Sequence, residues 1–90
     1  MLEYKVKLVN QLGLHARAAA KLVRCAGQFQ SRVVLINPLV NATANGKSIL
    51  SLLVLAASFG VTLDLRIEGE DESDAGLAII KLFADGFGEV

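Results

Sequence analysis

The segment from Val61 to Glu68 constrains the fold more than any other. Val61, Leu63, Leu65 and Ile67 alternate with Thr62, Asp64, Arg66 and Glu68. A period of two sends the first set to one face of a strand and the second set to the other, so this strand has one buried face and one wet face. A lone strand of this kind cannot hold itself together. It needs neighbouring strands and a second layer over its apolar side. Ninety residues leave room for one sheet, one helical layer and one core, so residues 1–90 are read as a single domain. The longest apolar stretch, Ile49 to Phe59, is broken by Ser51 and Ser58 and is too short to span a bilayer. No signal-peptide pattern opens the chain, and a cytoplasmic location is expected.

The remaining elements follow in order. Tyr4, Val6 and Leu8 alternate with Glu3, Lys5 and Lys7, giving a first strand. Ala16 to Ala26 favours helix, with Ala19, Leu22, Val23 and Ala26 on one stripe and Gly27 at its end. Arg32 to Asn37 is rich in β-branched and aliphatic residues and reads as a second strand. Asn37-Pro38 turns the chain into a short third strand over Val40 to Ala44, and Asn45-Gly46 marks another turn. Ser48 is placed to cap a short helix. That helix cannot bury all of Ile49, Leu50, Leu52, Leu53, Val54 and Leu55. Leu52 and Leu55 are assigned to the core, leaving Ile49, Leu50 and Leu53 as an exposed patch of the kind that marks partner sites. After the alternating strand, Asp71 is placed to cap a last helix with Ala75, Ala78, Ile79, Leu82 and Phe83 on its buried stripe, and Gly86 and Gly88 loosen the tail. The order β-α-β-β-α-β-α predicts a two-layer α+β fold, four strands with three helices on one face.

Charge is unevenly spread. Residues 1–47 hold seven Lys and Arg against Glu3 alone, a net +6, and residues 48–90 carry the balancing −6. A basic half suits phosphate or an acidic protein surface. Nucleic acid fits less well, because no basic run with interleaved aromatics accompanies the charge. Cys25 is the sole cysteine, which excludes an internal disulfide and any metal-ligand spacing. The acids at 68–74 read as a helix cap and solvated surface rather than a cation loop.

The chemistry concentrates between Leu12 and Ala20. His15 is the only histidine and stands where a loop becomes a helix. Gly13 can supply an unusual backbone angle just before it. The first N–H groups of a helix lack partners inside it and carry its positive dipole end, so Ala16 and Arg17 offer backbone donors to an anion there. Arg17 adds a planar guanidinium that matches phosphate oxygens. Arg17, Lys21 and Arg24 share one helix face, which is either a solvated surface or a docking face.

The stretch Gly13-Leu14-His15-Ala16-Arg17, with Ala19-Ala20, resembles the active-site motif of the HPr family, the histidine-containing phosphocarriers of the bacterial phosphoenolpyruvate-dependent phosphotransferase system. Asn45-Gly46-Lys47-Ser48-Ile49 and Glu68-Gly69-Glu70-Asp71-Glu72 resemble the second and third signatures of that family, in family order and at close to family spacing. The resemblance implies an open-faced sandwich with a four-stranded antiparallel sheet, and a phosphoryl group carried on the Nδ1 (pros) nitrogen of His15, held by Arg17 and the N–H groups of Ala16 and Arg17. The donor would be the phosphohistidine of the first enzyme of the system, and the acceptor a downstream protein of a sugar-transport or regulatory branch. It implies a monomeric carrier with no metal and no cofactor, not an enzyme in its own right. Ser48 matches the serine that a dedicated kinase and phosphorylase act on in some bacteria. In HPr-like proteins the patch that corresponds to Ile49, Leu50 and Leu53 meets the donor and acceptor enzymes, and Arg17, Lys21, Arg24 and Lys47 are taken with it as the partner-binding set. Three departures stand out. Ala18 replaces the usual proline, Leu12 replaces an often polar residue, and Pro38 to Lys47 is slightly longer than in the shortest members. They keep open a second reading, an interaction module whose phosphorylation state regulates partners without fast onward transfer.

Overall fold

The computed structural model describes residues 1–89. The chain runs through β1 (Leu2–Lys7), α1 (Ala16–Ala26), β2 (Arg32–Asn37), β3 (Ala42–Asn45), α2 (Ile49–Leu53), β4 (Thr62–Glu68) and α3 (Glu72–Ala84), and closes with a 3-10 turn at Gly86–Gly88. This is the predicted order with one element added at the end. The four strands form one antiparallel sheet in the order β1-β4-β2-β3. The strongly alternating β4 is therefore an inner strand, with β1 on one side and β2 on the other.

Register explains why helices cover only one face. Val6 stands opposite Leu63, Leu35 opposite Leu65 and Ala44, and Val33 opposite Ile67. All seven are buried, and residues directly opposite share a face. The other face pairs Glu3 with Arg66, Lys5 with Asp64 and Arg32 with Glu68, and it is wet. Two of these pairs are ion pairs, Lys5–Asp64 at 2.6 Å and Arg66–Glu3 at 3.5 Å. α1, α2 and α3 pack on the apolar side, where Leu22, Leu52, Leu55, Ile79 and Phe83 complete the core. Among the described residues no helix is long and apolar enough to cross a membrane.

Four local expectations differ from the structure. β3 begins at Ala42 rather than Val40, because residues 38–41 form a turn that Asn41 closes at φ 53° and Asn37 Oδ1 supports by accepting from the Leu39 N–H at 3.1 Å. The buried stripe of α1 takes in Ala18, while Val23 is only half-buried. Gly76 of α3 is buried beneath the ring of Tyr4, and Ala78 and Leu82 lie at the margin. Asp71 stands at the start of α3 but gives it no side-chain cap. Its carboxylate instead accepts from the N–H of Gln30 (2.8 Å), the N–H of Ser31 (3.0 Å) and the hydroxyl of Ser31 (2.5 Å), tying α3 to the loop before β2.

The tail differs most. Gly86, Phe87 and Gly88 take φ values of 59°, 55° and 75°, folding the chain back toward α1 instead of loosening it. Phe87 is fully buried, with its ring edge-on to Phe83 at 5.0 Å. Burying such a side chain is worth about 2–3 kcal/mol, against about 1–2 kcal/mol for a non-glycine residue in the left-handed region. Burial wins, and Lys21 Nζ adds a hydrogen bond to the Phe87 carbonyl at 2.6 Å.

Candidate functional site

The site is built by the loop that joins β1 to α1. Gly13 sits at φ 63°, and a Cβ there would lie 2.6 Å from the Ala57 carbonyl oxygen and 2.8 Å from Ser58 Cα. Only glycine lets the loop cross the 57–58 backbone so closely. Three hydrogen bonds hold the crossing: Gly13 N–H to the Asn10 carbonyl (3.0 Å), Leu14 N–H to the Ala57 carbonyl (2.8 Å), and Asn10 Nδ2 to the Gly13 carbonyl (2.8 Å). The loop thereby delivers His15 in extended conformation (φ −80°, ψ −179°) to the N-cap of α1.

His15 does not cap the helix with its side chain. Its backbone carbonyl accepts from Ala19 N–H at 2.8 Å, and that is the first bond of the helix. The N–H groups of Ala16, Arg17 and Ala18 precede it and have no carbonyl to pair with inside the helix. They present donors and a positive dipole end beside the imidazole. Arg17 stands at the mouth with its side chain 66% exposed.

The imidazole is oriented from the far end of the chain. His15 Nε2 lies 2.5 Å from Glu89 Oε2, Arg17 Nε lies 3.5 Å from the same oxygen, and Asn10 Nδ2 donates to Glu89 Oε1 at 2.9 Å. The Asn10 amide, with added support from His15 and Arg17, holds the Glu89 carboxyl below the usual glutamate range. An ionised carboxylate only accepts, so Nε2 is the donor and, in the neutral ring, Nδ1 keeps its lone pair. Beside the site, Val9, Gln11, Leu12, Arg17, Phe59 and Glu89 line an open cavity of about 670 Å³. A nucleophilic nitrogen, unpaired helix N–H groups and a guanidinium can together take a tetrahedral anion and hold it.

The other sequence-chosen residues lie in three settings. Ser48 caps α2, its Oγ accepting from Ser51 N–H at 3.3 Å. Lys21 and Lys47 are tied to backbone carbonyls, of Phe87 and Phe29 respectively, and Arg24 is exposed on α1. Ile49, Leu50 and Leu53 are exposed as expected, at 39%, 79% and 41%, with Val54 joining them. α2 packs against α1, so the apolar patch and the α1 cations belong to neighbouring helices. Among the described residues no cluster of His, Cys, Asp and Glu is arranged to hold a metal ion.

Asn10, Phe59 and Glu89 join the site without having been chosen from the sequence. The signal for Glu89 was the pattern Gly86-Phe87-Gly88-Glu89 itself, a large apolar side chain between two turn formers with an acid just beyond. That pattern anchors a tail as readily as it loosens one.

Known proteins resemble this chain in sequence and in fold. Residues 2–85 match the family model described as the PTS HPr component phosphorylation site. Over 89 residues the chain is 45% identical to the phosphocarrier protein HPr of Xylella fastidiosa (strain Temecula1 / ATCC 700964), covering 99% of this chain and 98% of that one. Among solved structures it resembles HPr-C-His from Thermoanaerobacter tengcongensis, with a TM-score of 0.93, 37% identity and coverage of 100% and 99% of the two chains. It also resembles Crh, the Bacillus subtilis catabolite repression protein, crystallised as a swapped dimer, with a TM-score of 0.71, 36% identity and coverage of 100% and 98%. A four-stranded open sheet with three helices on one face, three matching signatures and full-length identity at this level lead to one conclusion: the chain belongs to the HPr family of phosphocarrier proteins.

Proposed function

We propose that this protein accepts a phosphoryl group on His15 Nδ1 from the phosphohistidine of the first enzyme of the phosphotransferase system and passes it to a downstream acceptor protein. The observation that carries the reading is the open start of α1, where His15 stands beside unpaired N–H groups and Arg17. The Nδ1 lone pair attacks phosphorus, the donor's N–P bond breaks, and its electron pair stays on the donor imidazole. Arg17 and the N–H groups of Ala16 and Arg17 stabilise the charge on the transferring oxygens. The relay is reversible in kind, so the same groups serve onward transfer. The protein acts as a monomeric cytoplasmic carrier over residues 1–90, without metal or cofactor. Arg17, Lys21, Arg24 and Lys47, with Ile49, Leu50 and Leu53, form the surface that meets donor and acceptor, an apolar centre with a basic rim. Ser48 is the candidate regulatory site for a serine kinase and phosphorylase. A phosphate there would sit at a helix N-terminus, where negative charge is tolerated, and would leave the fold intact.

A second reading rests on Ala18, which restores a backbone donor where the family has proline. In it the phosphorylated protein signals to a partner and releases its phosphoryl group slowly. The test is a transfer assay with phosphoenolpyruvate and a purified first enzyme. Acid-labile label on the wild type, none on His15→Ala, and acceptance slowed about 10²-fold in Arg17→Ala are the expected results. No label on the wild type, with a donor that labels another carrier, overturns the relay. Rapid labelling without discharge to any acceptor of the system selects the signalling reading.

A further inference from the structure

The tail turn serves no purpose in the reading above, yet it brings Glu89 to the histidine from 74 residues away. We propose that Glu89 is a positioning residue, which acts through His15 by holding the Nε2 proton and so keeping Nδ1 as the bare, attacking nitrogen. The inference rests on the carrier reading for its use and on geometry for its substance. Glu89 Oε2 lies 2.5 Å from His15 Nε2, and the Glu89 side chain is only 13% exposed. Its second oxygen is held by Asn10 Nδ2, whose other bond goes to the Gly13 carbonyl at the foot of the loop. The backbone that carries Glu89 is fixed in turn by the buried Phe87 ring and by Lys21 on the Phe87 carbonyl. A carboxylate so anchored is not a chance surface neighbour of the ring.

The chemistry gives the contact a role in the transfer. A free neutral imidazole divides its proton between two nitrogens, and only the form with the proton on Nε2 can attack through Nδ1. When Nδ1 bonds to phosphorus the Nε2 proton stays in place, both ring nitrogens are substituted, and the ring takes on positive character. A carboxylate on Nε2–H favours the reactive tautomer beforehand and the positive ring afterwards, as the aspartate of a hydrolase triad does for its histidine. No proton is lost and no further reactant is needed. Arg17 Nε, 3.5 Å from the same Oε2, remains able to turn its fork toward the phosphoryl oxygens.

The experiment reads the imidazole nitrogens of the labelled, unphosphorylated protein by NMR, on the alkaline plateau where the resonances no longer change with pH. In the wild type the Nδ1 resonance should be pyridine-like and the Nε2 resonance pyrrole-like. In Glu89→Ala the two should move toward each other as the tautomers mix. Glu89→Gln, whose side-chain carbonyl can still accept from Nε2–H, should restore the wild-type pattern. Phosphoryl acceptance should fall about tenfold in Glu89→Ala. The loss is smaller than the roughly 10⁴ seen when a buried triad is disrupted, because an unheld ring still samples the reactive tautomer. Unchanged amide resonances in the sheet would show that each variant is folded. Unchanged nitrogen resonances in Glu89→Ala overturn the proposal, as does a tautomer shift with no change in acceptance. Failure of the wild type to accept label would sink the carrier reading alone, since the nitrogen resonances report Glu89's hold on the ring without any transfer.

Discussion

At the start of α1, His15 occupies the capping position and gives the helix no side-chain bond, whereas at the start of α2 Ser48 accepts the Ser51 N–H at 3.3 Å. The first helix leaves its N-terminal donors open beside the imidazole, and the second closes one of its own. A helix whose first turn is satisfied by its own cap is finished as structure. A helix of eleven residues packed through Ala18, Ala19, Leu22 and Ala26 can do without that bond, because tertiary burial rather than capping holds it. α2, only five residues long and buried through Leu52, has less to spare. On the proposed reading, this difference is what leaves the α1 donors free for an anion.

The largest effect should come from disturbing the entry to the open helix. Gly13→Ala combines a positive φ with a Cβ forced against the Ala57 carbonyl and the Ser58 backbone. Left-handed strain and overpacking together should cost about 2–4 kcal/mol, read as a lower denaturant midpoint with an unchanged slope. The surviving folded fraction should also accept phosphoryl groups more slowly, since the loop that sets His15 must shift. A loss below about 1 kcal/mol would mean that the 57–58 backbone yields readily, and the rigid platform drawn for α1 would then be wrong.

This entry was largely legible beforehand. Gly13, His15 and Arg17 lie within five residues, and a glycine, a loop end and a run of alanines each follow from local rules. The alternation of β4 and the division of the 49–55 segment between Leu52 and Leu55 inside and Ile49, Leu50 and Leu53 outside were legible for the same reason, since periodicity is a property of neighbours in sequence. Glu89 was not, because its meaning depends on a turn that folds the tail across 74 residues to reach His15. Asp71 stands where a local pattern expects a cap, but its carboxylate takes the donors of Ser31 and Gln30, 40 and 41 residues upstream, which no local pattern displays. Local pattern names the residues that can do something, and long-range packing decides which partner they take.

α3 offers a third kind of helix start and a sharper form of the comparison. Its Asp71 carboxylate is turned away from the helix, and the Ser31 hydroxyl, followed by the Gln30 N–H, holds its carboxyl below the usual aspartate range. A lowered folded value means that the native state binds this proton more weakly than the unfolded chain. The stabilisation is therefore fully present above the ordinary aspartate value of about 3.9 and is lost as pH falls through the lowered value. The stability gap between wild type and Asp71→Asn should be constant at neutral pH and should narrow below about pH 4. Denaturation curves at stepped pH would show this. A gap that stays constant down to the acid transition would mean that the amide replaces the carboxylate fully and that charge contributes nothing at this start.

The smallest effect belongs to Ser48. Removing a serine cap typically costs about 0.5–2 kcal/mol. A 3.3 Å bond is long for N–H···O, so Ser48→Ala should fall at the lower end. The loss is also shared, because Ser51 Oγ accepts from the Asn45 N–H at 2.8 Å and ties the same helix back to the end of β3. A cost of about 0.5–1 kcal/mol corresponds to a fall of about 2–8 °C in Tm for a chain of this size. The matching change at the other helix, His15→Ala, removes no capping bond. Any loss of stability there should come from the contact with Glu89, and the double variant His15→Ala/Glu89→Ala should then be no less stable than Glu89→Ala alone. If instead Ser48→Ala is silent and His15→Ala costs capping energy on the Glu89→Ala background, the two helix starts do not differ in the way drawn here. The open end of α1 would then be held by its own side chain after all, and its N–H groups would not be free for an anion.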